Sequence, residues 1–274
     1  TKIKIQNPKE INFYEVKIMI EIKDVYKNLG GQEVLRGVDL NVPRGELLAI
    51  IGGSGSGKSV LLKHVIGFLK PDSGDVIVDG VSIPSCSRRE LYEIRKKFGV
   101  VFQSAALLQS LTVGDNVALP LREHSICPEE EILSRVTERL SMVSLDNVEK
   151  KLPAELSGGM QKRASLARAI IMNPDILLFD EPETGLDPVL TATIGQLIID
   201  LHNRIGFSAI AVTHNMEFAY RIADRIAMLY NGRILEVGTP EEIRNTSNPI
   251  VRQFIRGLPE KSMRANKQQE RIDE

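Results

Sequence analysis

The sequence predicts an α/β fold: a mostly parallel core sheet, an antiparallel β lobe and an inserted α-helical lobe. Three observations carry this expectation. Apolar runs without alternation, Leu47–Ile51, Ile176–Phe179 and Ile210–Val212, have the character of strands buried on both faces, as in a parallel sheet. Each run ends in chemistry-bearing residues: a Gly-rich loop, a pair of acids, and Thr213-His214-Asn215. Long stretches with helical spacing separate the runs, which is the alternation that builds open α/β sheets.

Taken in order, Ile20–Tyr26, Glu33–Val42 and Asp75–Val78 are expected as strands of the antiparallel lobe, with turns at Pro71-Asp72-Ser73-Gly74 and Asp79-Gly80. After Leu47–Ile51 comes Gly52-Gly53-Ser54-Gly55-Ser56-Gly57-Lys58-Ser59, then a helix over Val60–Phe68. This run fits G-x-x-x-x-G-K-[ST], the phosphate-binding loop, in the strand–loop–helix setting that the motif requires. Glycines let successive backbone N–H groups converge on one anion, and the new helix adds its positive end. Lys58 is placed to reach β- and γ-phosphates, and the Ser59 hydroxyl to bind Mg²⁺. The fold class is therefore that of a P-loop nucleoside triphosphatase.

A helix is expected over Ser87–Lys97, and a strand over Gly99–Phe102. The helical lobe follows at about 104–160. Within it Pro128 opens a helix with Glu129, Glu130 and Glu131 in its first turn. Leu133, Val136, Leu140 and Val143 form the stripe expected to face the core. Leu156-Ser157-Gly158-Gly159-Met160-Gln161 opens a further helix through Ile170, a second helix N-terminus aimed at anions. Ile176-Leu177-Leu178-Phe179-Asp180-Glu181 delivers two carboxylates at the C-terminal end of a strand, where open α/β sheets place ligands. Asp180 suits Mg²⁺, directly or through water, and Glu181 suits the general base that polarises the attacking water. A helix over Pro188–Ile205 precedes the strand ending at His214, which is placed for a γ-phosphate contact. His64, His124 and His202 lack that setting and are expected as surface or packing residues. A helix over Met216–Asp224 and a hairpin, Arg225–Asn231 with Arg233–Gly238, complete the domain.

These motifs together resemble the ATP-binding-cassette (ABC) ATPases over roughly Ile20 to Gly257. Leu156–Gln161 is similar to the family signature, Glu181–Pro188 to the catalytic Glu followed by the D-loop, and Val101-Phe102-Gln103-Ser104 to the Q-loop. His214 resembles the switch histidine. The resemblance implies a homodimer that sandwiches two ATP molecules, with Mg²⁺ held by Ser59, Gln103 and Asp180. Hydrolysis would fall to Glu181, His214 and Gln103. Phosphate contacts would come from Gly52 to Val60 of one copy and from Ser157, Gly158, Gly159 and Asp187 of the other. The sequence departs from the family pattern at Glu183 and Val60, where small and hydroxyl residues are usual, and near Leu29, where an adenine-stacking aromatic is usual. Tyr26 is the nearest aromatic. Two segments, Phe102–His124 and Asn248–Gly257, are similar to the ATPases of Mla-type, Mce-associated lipid transporters. That implies a transmembrane permease in a separate chain, an Mce-domain lipid-binding protein as a candidate further partner, and a peripheral position on the cytoplasmic face of the inner or plasma membrane. The alternatives are a cassette ATPase for an unrelated solute, a soluble cassette ATPase of DNA repair or translation, and a non-hydrolysing regulator.

Composition agrees with a large-cored enzyme. The chain has 274 residues with 35 basic and 36 acidic side chains, and no basic excess points to nucleic acid. Cys86 and Cys127 have neither metal spacing nor a disulfide framework, which fits a reducing compartment. No apolar run approaches the roughly 18 residues of a membrane span, and no secretory signal is expected. Residue 1 is Thr and the first Met is Met19, so residues 1–18 are expected as an upstream extension, native or not. The ATPase domain is expected at 19–257, with a polar, mobile tail at 258–274.

Overall fold

The computed structural model describes residues 17–258. The expectations for residues 1–16 and 259–274 lie outside the described residues. Two sheets dominate. The first is antiparallel, in the order β2-β1-β4-β5, from β1 (Ile18–Leu29), β2 (Gln32–Pro43), β4 (Ser73–Val78) and β5 (Val81–Ser82). The second has the order β10-β9-β3-β8-β7-β6, from β3 (Leu47–Ile51), β6 (Phe98–Val101), β7 (Ile176–Asp180), β8 (Ser208–Thr213), β9 (Arg225–Tyr230) and β10 (Arg233–Gly238). Its pairings are parallel except for the β9–β10 hairpin at the edge. All residues of β3 and β8 are buried, as expected of unalternating apolar strands at a sheet centre.

Helix α1 (Lys58–Val65) follows the phosphate loop, and α2 (Arg88–Arg95) precedes β6. The helical lobe holds α3 (Val113–Glu123) and α4 (Glu129–Met142). Then α5 (Gly158–Ile170) leads to β7, α6 (Pro188–Ile205) to β8, and α7 (Met216–Ile222) to β9. Two short helices, α8 (Pro240–Arg244) and α9 (Pro249–Ile255), close the chain. One core cluster joins α3, α4, α5 and α6 to one face of the parallel sheet, through Val117, Leu140, Ile170, Phe179 and Ile198. Another fills the space between the two sheets and α1, through Val25, Val38, Ile50, Leu61 and Val76. An ion cluster at Asp79 adds a tie there: Lys97, just before β6, and Lys17 and Arg44 of the antiparallel lobe converge on its carboxylate.

Several local expectations need correction. Strand β1 starts at Ile18, paired with Pro43, two residues before the expected start at Ile20. Ser73 and Gly74 are strand rather than turn, because Ser73 pairs with Tyr26 and extends the β1 ladder. Helix α1 begins at Lys58, two residues before Val60, and ends at Val65. Helix α2 is shorter than Ser87–Lys97 because Ser87 caps it in a reciprocal box with Glu90. Leu133 is 57% exposed, and Ile132, with Val136, Leu140 and Val143, makes the buried stripe. Helix α5 runs from Gly158 to Ile170 and packs on both β6 and the lobe helices α3 and α4. Leu258 is tied back by its N–H to the Gln253 carbonyl.

Candidate active site

Four adjacent strands, β3, β8, β7 and β6, deliver the site. In register, Ile51 of β3 lies beside Thr213 of β8, and Val212 of β8 beside Asp180 of β7. Val101 of β6 lies beside Phe179, so Phe102 and Gln103 emerge next to the acids. Loop 52–59, Asp180-Glu181, Thr213-His214 and Gln103 therefore leave the sheet at one edge.

The phosphate loop is shaped by backbone. A Cβ at Gly52 would lie 2.3 Å from the Leu229 carbonyl oxygen, so only glycine fits against β9 there. Gly57 caps α1 with φ of 106°, a conformation that L side chains rarely adopt. Lys58 is buried and donates to the carbonyls of Gly52 (2.8 Å) and Gly53 (3.0 Å). Burial pulls its ammonium pKa down, while the charges of Glu181, Asp180 and Glu183 oppose that shift. The Ser56 hydroxyl is buried without a partner among the described residues. A cleft of about 380 Å³ is lined by Ser54 to Val60, Glu181, Gln32 and Val34. Tyr26 is not in that lining: its hydroxyl end stands against Gly37.

Ser59 Oγ donates to Asp180 Oδ1 at 2.9 Å. Glu181, the residue after β7, sits at φ of 48° in the left-handed region, and its N–H donates to the Val212 carbonyl. Its Oε2 accepts from Gln103 Nε2 at 3.3 Å and from Thr184 Oγ1 at 3.0 Å. Its Oε1 faces His214 Nδ1 at 3.2 Å. Glu181, Gln103 and His214, expected from the sequence to work together, thus meet on one carboxylate, and Thr184 is an additional contact.

Ser157, Gly158, Gly159 and Asp187 do not line the Lys58 cleft. Ser157 caps α5, accepting from the Met160 N–H, and Asp187 caps α6, accepting from the N–H groups of Val189 and Leu190. These two helix starts adjoin one another: a Cβ on Gly159 would meet Leu190 at 3.4 Å. Val189 beside it is 75% exposed.

Two further residues, Lys162 and Arg168, escaped the sequence reading, and a third, Glu183, was marked only as a departure from the family pattern. Lys162 of α5 is buried and donates to the Gln103 carbonyl. Arg168, on the same helix, donates to the carbonyls of Ala105 (2.9 Å) and Ala106 (2.7 Å), two alanines with left-handed backbones at φ of 61° and 49°. Glu183 is buried and accepts from the Thr213 hydroxyl. The available signal was basic residues on a helix whose other buried positions are mostly small and apolar, and an acid at an unusual place after Glu181.

A family profile described as ABC transporter matches residues 35–184. The chain is 45% identical over 240 residues to the "Probable ribonucleotide transport ATP-binding protein mkl" of Mycobacterium leprae (strain TN), covering 88% of this chain and 69% of that protein. It is 39% identical over 240 residues to the "Intermembrane phospholipid transport system ATP-binding protein MlaF" of Escherichia coli (strain K12), covering 88% and 89%. Among solved structures, the dimeric post-hydrolysis state of the ATP-binding cassette MJ0796 bound to ADP and Pi matches with a TM-score of 0.74 at 35% identity. That match covers 81% of this chain and 99% of the other. The cbiO1 structure from Clostridium perfringens, part of the transporter complex cbiONQ, matches with a TM-score of 0.78 at 30% identity, covering 88% and 96%.

Proposed function

The chain belongs to the ABC transporter family as an ATP-hydrolysing transporter subunit, and from that premise we propose a mechanism for its site and a phospholipid or other apolar lipid as its cargo. The observation that carries the mechanism is the set of contacts on Glu181, whose two oxygens face His214, Gln103 and Thr184 beside the Ser59–Asp180 pair.

Residues 52–60 wrap the nucleotide phosphates with backbone N–H groups, and Lys58 turns from the Gly52 and Gly53 carbonyls to the β- and γ-phosphates. The buried, partnerless Ser56 hydroxyl suits the same ligand. The residues present fit Mg²⁺: Ser59 and Asp180 supply two hard oxygens side by side, with the Gln103 amide nearby. Ser59 and Asp180 would hold the ion where its charge could offset that of the nucleotide phosphates. Glu181 polarises the attacking water, and His214 orients Glu181 and contacts the γ-phosphate.

Ser157, Gly158, Gly159 and the exposed start of α6 form one face that this chain's own cleft does not use. That face completes the cleft of a second copy, giving the nucleotide sandwich. Motion reaches a permease in a separate chain through the Gln103 loop and the helical lobe. No helix among the described residues is long and apolar enough to cross a membrane. As the ATPase of a membrane transporter, the chain would sit peripherally on the cytoplasmic face of the membrane that carries its permease, where an Mce-domain protein is a further candidate partner.

The lipid cargo is supported by the similarity to MlaF and by segments 102–124 and 248–257. A second reading, a cassette for a different solute, is favoured by the 45% identity to a protein whose name assigns ribonucleotide transport. The test is the ATPase–permease complex in proteoliposomes. ATP-dependent movement of labelled phospholipid, abolished by Glu181→Gln, is the expected result. ATP hydrolysis without lipid movement would overturn the lipid reading and leave the ATPase standing.

A further inference from the structure

Glu183 lies two residues beyond Glu181, and only 4% of it is exposed. A buried carboxyl is costly unless its oxygens are partnered. One is, because Thr213 Oγ1 donates to Oε1. The other, Oε2, finds no partner among the described residues. The Thr213 hydroxyl also accepts from the Asn215 N–H at 2.9 Å. The series Glu183–Thr213–Asn215 therefore pins the backbone on both sides of His214, whose ring faces Glu181. At its other end the Glu183 carbonyl accepts from the Leu186 N–H at 3.1 Å, which fixes the turn between Glu181 and α6. Burial pushes the Glu183 carboxyl pKa up, against the Thr213 hydrogen bond and the field of His214. Burial pulls the Lys162 pKa down, and the Glu183 charge is the first influence opposing that shift. Lys162 in turn holds the Gln103 carbonyl. Glu183 thus joins the segments that carry His214 and Glu181.

We infer that Glu183 is a positioning residue for hydrolysis: its buried carboxyl anchors the Thr213–Asn215 bend and so fixes the His214 ring against Glu181. The inference rests on the reading of Glu181 and His214 as the hydrolytic pair. It has a physical reason in the bond between Glu183 and Thr213, which ties the end of β8 directly to the turn after β7. A hydroxyl-to-carboxyl bond at that point limits the freedom of His214 without touching the nucleotide cleft, whose lining does not include Glu183.

The test is steady-state ATP hydrolysis by the full chain, with Tm measured in parallel. Glu183→Ala should lower kcat about 10-fold while leaving KM for ATP within about twofold, because misplacement acts on the transition state rather than on binding. Glu183→Gln, whose amide carbonyl still accepts from Thr213, should recover most of that loss. Thr213→Val should reproduce it, and the Glu183→Ala/Thr213→Val pair should be no worse than either single change. In a His214→Ala background, Glu183→Ala should cause no further loss of kcat. Wild-type kcat in Glu183→Ala, or a loss that persists in full in the His214→Ala background, would overturn the inference. Should Glu183→Ala fail to fold, Thr213→Val with and without His214 carries the same readouts. A wild-type chain without turnover would instead overturn the hydrolytic reading on which the inference rests, and the inference with it.

Discussion

The phosphate loop and the Gln103 loop leave the same edge of one sheet, yet they are held by different means. Loop 52–59 is fixed mostly by its own backbone and otherwise by the sheet it leaves: Gly52 packs against the Leu229 carbonyl of β9, Gly57 caps α1, and Lys58 reaches back to the carbonyls of Gly52 and Gly53. The Gln103 loop is fixed from outside. Lys162 and Arg168 of α5 grip three of its carbonyls, including those of two left-handed alanines. A loop held by itself stays put when its neighbours move. A loop held by α5 follows α5, and α5 is the helix whose start carries Ser157 and Gly159. In the proposed mechanism the difference separates a part that grips from a part that transmits.

The largest effect that would break this comparison lies in the gripping part. Lys58→Ala removes the only ammonium among the cleft-lining residues, and ATP affinity by calorimetry should fall about 100-fold or more. Unchanged affinity would mean that the backbone alone holds the phosphates. Gly52→Ala forces the loop away from Leu229 and should destabilise the fold by about 2 to 3 kcal/mol in urea, with nucleotide binding impaired. A neutral Gly52→Ala would show that the backbone fit is loose.

Arg168→Met sharpens the other side. It strips two carbonyls of their donor, and should cost about 1 to 3 kcal/mol. Hydrogen exchange should speed up at residues 103–107 and leave 52–59 unchanged. Equal acceleration in both loops would erase the distinction between them.

The smallest effect is a control remote from both loops. The Asp79 carboxyl is held down to about 2, first by the Lys97 hydrogen bond and then by Lys17. A depressed folded-state pKa gives stability that is present above the unfolded value near 4 and lost as pH falls from about 4 to about 2. That contribution is about 1 to 2 kcal/mol after solvent screening. Asp79→Asn should flatten the acid limb of the stability curve by this amount and leave ATP turnover at neutral pH unchanged.

The gripping part was legible in the sequence because glycine spacing, an apolar strand and a following helix are all local signals. The bounds of α5 and α6 were legible for the same reason: Ser157 and Asp187-Pro188 are local caps. Gln103 of the transmitting part was legible as a motif, but what holds its loop was not. Lys162 and Arg168 meet carbonyls 59, 62 and 63 residues away, and nothing near them in sequence names those partners. Glu183 was visible only as a departure from pattern, while its bond to Thr213 spans 30 residues. The choice between Ile132 and Leu133 failed for a related reason. Both are apolar neighbours, and the packing of α4 on α3 and α5, not the local period, decides which one turns inward. Strand β4 likewise took in Ser73 and Gly74 because β1 offered them a ladder that their turn chemistry did not announce.

In the proposed mechanism the face around Ser157 and Gly159 completes the phosphate site of a second copy. The direct measurement is the mass of the Glu181→Gln chain by light scattering at saturating ATP and Mg²⁺, at concentrations well above those of turnover assays. That variant should bind ATP and hydrolyse it about 10²- to 10⁴-fold more slowly, so the sandwich should persist. The account predicts a dimer with ATP, a monomer without it, and a monomer with ATP when Ser157→Arg is added. A Glu181→Gln chain that binds ATP yet remains monomeric, with wild-type hydrolysis first order in protein, would contradict it.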